Sequence, residues 1–387
     1  MPQRLSPRQI LEKLISFPTV SRDSNLALVE WVEDYLAGWG IAAQRVYNSD
    51  GSKAALYAHI GPQVEGGVVL SGHTDVVPVD GQDWSLDPWT VTERDGRLYG
   101  RGVCDMKGFD ALALAAVPLA LEAGITRPLQ IALSYDEELG CLGAPAMIAA
   151  MKAGLPRASA VVVGEPSMMR MVNGHKGSRG LRVHMRGHEV HSSILHTGVS
   201  AILEGARLID WVNRVNAENR AAPVTALAAL FDPPWTTAHV GTIQGGTAEN
   251  ITAKDCTFGL AFRVVPGEDP QDWLARLRAE AARIEAGMQA VRPETGITLE
   301  DMFFVPPLVP EQAGAAEALV RRLTGDNATS VVSYGTEAGQ FQIAGYSAVV
   351  CGPGDIAQAH QPDEYLTLDQ FEAGWRFMQA LVEDLRR

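Results

Sequence analysis

Four times along the chain a short apolar run of strand length stops on acid or histidine. "VVLSG" runs into His73, "LQIALSY" into Asp136, Glu137 and Glu138, "AVVVG" into Glu165, and "AVVC" into a Gly- and Pro-rich loop that holds His360. Runs this apolar read as strands buried on both faces, which a sheet covered by helices provides. The polar residues then gather where strands end, which is where open α/β sheets put their sites. "LSYDEELGCLG", residues 133 to 143, sharpens the constraint: three adjacent carboxylates at the end of a buried strand repel one another unless something offsets the charge.

The surrounding pattern predicts one α/β domain interrupted by another. Ile10, Leu11, Leu14 and Ile15 recur at helical spacing, as do Leu26, Val29, Val32, Tyr35 and Leu36. Strands are then expected at "AALYAHI", "GGVVLSGHTDVV", "LQIALSY" and "ASAVVVGEP", alternating with helices over 109–123 and near 143–153. After residue 177 the order becomes strand, helix, strand, strand, helix, strand, the split βαβ arrangement of an open-faced sandwich. From residue 306 the chain reverts to strand and helix alternation. The expected layout is therefore residues 1–177 and 306–387 in one domain and 178–305 in an insertion, and a length of 387 residues favours two cores.

A formal net charge of -14 argues against nucleic-acid backbones or anionic membrane as partners, because both need a basic face. No stretch of eighteen apolar residues occurs, and "ALALAAVPLALEAG", interrupted by Pro118, reads as a buried helix. The amino terminus has no secretory pattern, and the scattered Cys104, Cys141, Cys256 and Cys351 read as free thiols in a reducing compartment. The expectation is a cytoplasmic protein. Trp84 and Trp89 read as loop packing ahead of a hairpin that turns at Asp95-Gly96.

Each candidate residue has a plain alternative. His73 and Asp75 sit two apart, so on an extended segment the carboxylate can orient the imidazole, yet such pairs are more often loop hydrogen bonds. Asp105, between glycines in "YGRGVCDMKG", is equally a helix N-cap. Glu165 alone reads as surface capping. Together, two histidines and at least three carboxylates at strand ends of one domain form an oxygen and imidazole donor set suited to zinc, manganese or cobalt. Five such ligands, with one carboxylate shared, hold two ions about 3.5–4 Å apart, and the carboxylates then pair with cations rather than with each other.

"SGHTDVVP", "YGRGVCDMKG", "DEELG", "VVGEP" and "QAHQPDEY" occur in an order and spacing that resemble the zinc-dependent acetylornithine deacetylase and succinyl-diaminopimelate desuccinylase family, which also includes aminoacylases and glutamate-releasing carboxypeptidases. The resemblance covers the whole chain. It implies a mixed-sheet, three-layer catalytic domain of zinc-aminopeptidase type, with an inserted ferredoxin-like lid through which subunits form homodimers. By position it makes Asp105 the bridging ligand, His73 and Glu165 the other ligands of one metal, and Glu138 and His360 those of the second. The implied metals are two divalent ions, Zn2+ first, with Co2+ able to substitute. Asp75 orients His73, and Glu137 is the general base.

In the insertion, "RGHEVHSSILHTG" holds His188, His191 and His196, and residue type does not choose among them. The family pattern selects His191 as a donor to the developing oxyanion, from the partner subunit, although valine stands before it where the family often has alanine. An arginine on a strand usually faces solvent, but the resemblance assigns Arg263 to a substrate carboxylate. It adds Asn250, Gly335 and Thr336 as substrate contacts and Glu337 as a candidate partner for a side-chain ammonium. Asp136 has no assigned role beyond shaping the turn. "HKG" at 175 to 177 and "SYGTEAGQF" look most like the acetylornithine deacetylases, so the expected substrate is a small N-acyl amino acid, N2-acetylornithine first, with succinyl-diaminopimelate or broader acyl amino acids as alternatives.

Overall fold

The computed structural model describes residues 4–387. Contacts divide the chain into two units. The first runs up to Gly174 and includes Leu308–Val331 and Thr336–Arg387; the second takes His175–Pro307 and Val332–Gly335. Residues 175–177, 306–307 and 332–335 thus group with the inserted unit, a little beyond the boundaries read from the sequence.

The first unit is built on a mixed sheet of eight strands, in the order Ala43–Tyr47, Ala54–Ile60, Leu129–Ser134, Val68–His73, Ala160–Pro166, Ala348–Gly352, Val172–His175, Ser330–Val332. Its middle is parallel: Val68–His73 pairs in parallel with both Leu129–Ser134 and Ala160–Pro166, which in turn pairs with Ala348–Gly352. Every residue of these four strands is buried, which is why their sequences are continuously apolar rather than alternating. Because the strands point the same way, their carboxyl ends form one edge. His73, the Asp136 to Glu138 turn, Glu165 and the His360 loop all follow from that edge.

Helix Lys107–Ala123 packs against the central strands and against helices Pro7–Ile15 and Leu368–Leu385. It continues through Pro118, and nearly all of its residues are buried. Helix Pro7–Ile15 starts where Ser6 and Gln9 exchange side-chain and backbone hydrogen bonds, with Pro7 in the first turn, so its orphan N–H groups are satisfied. The hairpin of Thr92–Arg94 and Arg97–Tyr99 turns at Asp95 and Gly96, both at positive φ. The sequence pattern did not disclose that Tyr365–Thr367 adds a third strand to it.

The second unit is a four-stranded antiparallel sheet in the order Thr237–Gly245, Asp255–Val264, Gly177–Arg186, Gly296–Val305. Strand Asp255–Val264 alternates: Cys256, Phe258, Leu260, Phe262 and Val264 are buried with Leu181, Val183 and Met185, while their neighbours face outward. Helices Ala201–Ala221 and Pro270–Val291 complete that core, giving the split βαβ order. No helix among the described residues is long and apolar enough to cross a membrane. All four cysteines are free and buried.

Candidate metal centre

Two glycines determine how closely the site can be assembled. Gly72 precedes His73, and a Cβ there would lie 2.0 Å from Asp110 Oδ1; Gly164 precedes Glu165, and a Cβ there would lie 2.0 Å from the Phe109 ring. Asp110 and Phe109 belong to the first turn of Lys107–Ala123. The absent side chains let that turn press onto the ends of two strands, bringing Asp105 against His73 and Glu165.

His73 Nδ1 donates to the main-chain carbonyl of Asp75 at 2.9 Å, which turns Nε2 toward the carboxylates. That nitrogen lies 3.1 Å from Asp105 Oδ1 and 3.7 Å from Glu165 Oε1. On the other side, His360 Nε2 lies 3.3 Å from Asp105 Oδ2 and 3.0 Å from Glu138 Oε2. Asp105 therefore offers one oxygen to each histidine. Donors about 2.0–2.2 Å from a tetrahedral ion stand roughly 3.3–3.6 Å apart, so these separations suit a shared ion on either side of Asp105.

The ligand atoms of His73, Asp105 and Glu138 lie within 4.8 Å of one another, and so do those of His73, Glu137 and Glu165. His73 belongs to both groups, and the contacts of His360 with Glu138 and Asp105 distinguish the second side. His360 is half exposed and at positive φ, while His73, Asp105 and Glu165 are buried.

The Asp75 carboxylate supports the glutamate doublet. Its Oδ1 accepts the Glu137 N–H at 3.1 Å, its Oδ2 accepts the Glu138 N–H at 3.4 Å, and Ser21 donates to Oδ2 at 2.7 Å. Asp75 reaches His73 more closely through its carbonyl than through its carboxylate, which stands 3.5 Å away. Asp136 finds a partner: at positive φ, it accepts from Lys53 Nζ at 2.6 Å, a largely buried ion pair that offsets one of the three adjacent charges.

Burial pushes the Glu137 carboxyl up to about 8, with the negative charges of Glu138, Glu337 and Asp105 adding to it against His73. Burial likewise raises Glu138 and Glu165, each reinforced by Asp105. Hydrogen bonds to Asp105 and Glu138 raise His360 to about 10. Burial alone lowers His73, but Asp105 and Asp75 offset it and hold the imidazole well above its ordinary value. The donor set is thus oxygen and imidazole, rich in negative charge and short of positive charge, which fits divalent cations of borderline hardness.

A model of peptidase family M20/M25/M40 matches residues 69–384. The chain belongs to that family. It is 36% identical to the acetylornithine deacetylase of Myxococcus xanthus, over 94% of this chain and 93% of that one. An M20 family metallo-carboxypeptidase of Sulfolobus solfataricus shares the fold at a TM-score of 0.77 and 18% identity, covering 99% of each chain. A dinuclear metal-binding M20 peptidase of Bacillus subtilis does so at 0.65 and 15% identity, over 98% of this chain and 97% of that one.

The remaining residues of interest lie mostly in the second unit of this M20 chain. His191 is exposed, with its Nδ1 2.8 Å from Ser193 Oγ and accepting the Ser193 N–H. Asn250 is exposed and its carbonyl accepts the Ser192 N–H at 2.9 Å. Arg263 is exposed near the end of strand Asp255–Val264. Gly335 packs beside Val305 and the Lys176 carbonyl. In the first unit, Thr336 is buried and its hydroxyl accepts the Ala338 N–H at 3.1 Å. Glu337 is buried and takes the hydroxyls of Ser71 and Ser134, so its carboxylate is engaged inside the fold rather than held open for a ligand's ammonium. The sequence reading also missed the Cys141 thiol, which donates to Glu137 Oε1 at 3.2 Å.

Proposed function

We propose that this M20 hydrolase removes the acetyl group of N2-acetylornithine, yielding ornithine and acetate for arginine synthesis in the cytoplasm. The observation that carries the chemistry is Asp105, one oxygen toward His73 and the other toward His360, with Glu137 beside them. The choice of substrate is supported by the relative named acetylornithine deacetylase, together with the small "HKG" and "SYGTEAGQF" signatures.

The residues that would hold two divalent ions, Zn2+ first and Co2+ as a substitute, are His73, Glu165 and Asp105 on one side and Glu138, His360 and Asp105 on the other. When bound, such ions polarise an acyl carbonyl and lower the pKa of a water from 15.7 toward about 7. Glu137 accepts a proton from the attacking water and delivers it to the amine nitrogen as the amide C–N bond breaks. Asp75 holds the backbone of Glu137 and Glu138 so that adjacent side chains do different work.

His191 is the proposed hydrogen-bond donor to the oxyanion, supplied across a homodimer formed through the second unit. Arg263 is the proposed partner of the substrate α-carboxylate, through its planar fork. Asn250, Gly335 and the backbone of Thr336 complete the proposed substrate contacts. The test is to load purified protein with Zn2+ or Co2+ and compare kcat/KM for acetylornithine, acetylcitrulline, acetylmethionine and succinyl-diaminopimelate. A preference for acetylornithine supports the assignment; a preference for the succinyl substrate overturns it.

A further inference from the structure

Three backbone donors of the loop that carries Asp105, those of Gly102, Cys104 and Asp105, go to the side chain of Glu364 far along the chain. Glu364 is 1% exposed. Its Oε1 accepts the N–H groups of Cys104 at 2.9 Å and Asp105 at 3.1 Å; its Oε2 accepts the Gly102 N–H at 3.0 Å and Arg101 Nη1 at 2.8 Å. All four of these hydrogen bonds fall on the five residues ending in Asp105.

The same network reaches the other ligand loop. Arg101 is also 1% exposed, and its second nitrogen donates to Gln82 Oε1. Gln82 Nε2 in turn donates to the main-chain carbonyl of His360 at 2.8 Å. Arg101 Nη1 approaches the Gln361 carbonyl at 3.4 Å, and the Trp84 ring covers the guanidinium 5.0 Å from its centre. Asp105 and His360 face each other across one metal position, so anything that joins their backbones sets the width of that position.

We propose that Glu364, Arg101 and Gln82 form a positioning set that locks the Asp105 loop to the His360 loop and thereby fixes the geometry of the metal position between them. The inference rests on the two-metal reading above. A buried ion pair is costly unless its remaining hydrogen-bonding capacity is met, and here backbone N–H groups meet it on the carboxylate side. The pair is thus spent on holding a loop in place. A carboxylate with two equivalent oxygens is needed, because each oxygen accepts from two donors. Replacing either oxygen with an amide NH2 sets donor against donor.

The experiment titrates metal-stripped wild-type and Glu364→Gln proteins with Zn2+ by calorimetry, beside thermal melting of the metal-free proteins. Wild type is expected to bind two ions. In the variant the step at the Glu138 and His360 position weakens about ten- to a hundred-fold, the usual cost of losing a residue that orients a ligand, while the step at the His73 and Glu165 position, which shares only Asp105, weakens less. Both steps matching wild type, or both weakening in equal proportion, overturns the inference. Gln82→Ala cuts the tie between Arg101 and His360, together with the hydrogen bond that Trp84 Nε1 donates to the same Gln82 oxygen at 3.0 Å, and carries the test should Glu364→Gln fail to fold. The same step weakens in it, and unchanged Zn2+ affinity overturns the proposal. If wild type itself binds no Zn2+, the two-metal reading fails and this inference with it; if wild type binds two and the variants do so equally, only this inference fails.

Discussion

The backbone N–H of Glu137 donates to the carboxylate of Asp75 at 3.1 Å, so the end of one strand is held by a side chain from the end of its neighbour. Asp75 also takes the Glu138 N–H and the Ser21 hydroxyl, while its carbonyl orients His73. One residue therefore sets the direction of a proposed ligand on each side and of the proposed base. Asp75→Asn keeps the size but turns one acceptor into a donor facing N–H or O–H groups. It is expected to lower kcat/KM by about ten- to a hundred-fold, with part of the loss recovered at higher metal concentration. Wild-type kinetics in the variant at limiting Zn2+ would remove this role.

Glu137 and His191 are proposed to act on one substrate from different subunits, and mixed dimers test that directly. Glu137→Ala alone is expected to keep its metal and lose about 10²–10⁴ in turnover, the usual worth of a positioned base. His191→Ala alone is expected to lose kcat more than KM, since an oxyanion donor acts mainly in the transition state. Combining the two variants in one dimer recreates a single intact site if His191 crosses the dimer axis, and none if it serves its own subunit. Recovery of activity on mixing, read with differently tagged subunits, supports the crossing. Its absence from verified mixed dimers places His191 in its own subunit.

Gly164 is a packing position with a consequence for the site. A methyl there meets the Phe109 ring at 2.0 Å, a contact that must be relieved by moving either the helix or the strand end that carries Glu165. Gly164→Ala is expected to cost about 1–3 kcal/mol, a fall in Tm of roughly 2–10 °C for a domain of this size, and to weaken metal binding with it. Unchanged melting together with unchanged Zn2+ affinity would show that helix Lys107–Ala123 yields without disturbing Glu165.

The strand ends were legible because buried parallel strands leave an unmistakable trace: a continuous apolar run, then an abrupt polar stop. His73, Glu137, Glu138 and Glu165 all stand just past or at the end of such runs. His360 follows its run at a distance, in the loop after "AVVC", and Asp105 stands between glycines where a helix N-cap reads equally well, so motif resemblance was needed to assign their roles. What stayed hidden was pairing at long range. Lys53 lies 83 residues from Asp136, and nothing near either one announces the ion pair. Glu364 stood inside a quoted motif, yet its work is visible only once the fold brings it to the Asp105 backbone. Glu337, a candidate partner for an ammonium in the sequence, is buried with Ser71 and Ser134 donating to it, and neither serine is near it in the chain.

Glu337 also supplies a pH-dependent prediction. Burial pushes its carboxyl from 4.5 up to about 7, despite the hydroxyls of Ser134 and Ser71. Between those values the folded chain binds more protons than the unfolded chain, so this residue's contribution to stability is complete below about pH 4.5 and is lost as pH rises through about 7. Glu337→Gln mimics the protonated form: one serine hydroxyl still donates to the amide oxygen and the other can turn to accept from the NH2. In metal-free protein the variant is therefore expected to match wild type near pH 5 and to exceed it at pH 8 by on the order of 2–3 kcal/mol. Parallel melts across that range check the sign: a variant less stable than wild type at pH 8, or a gap that does not vary with pH, would mean that Glu337 is ionised in the fold and held by its two serines.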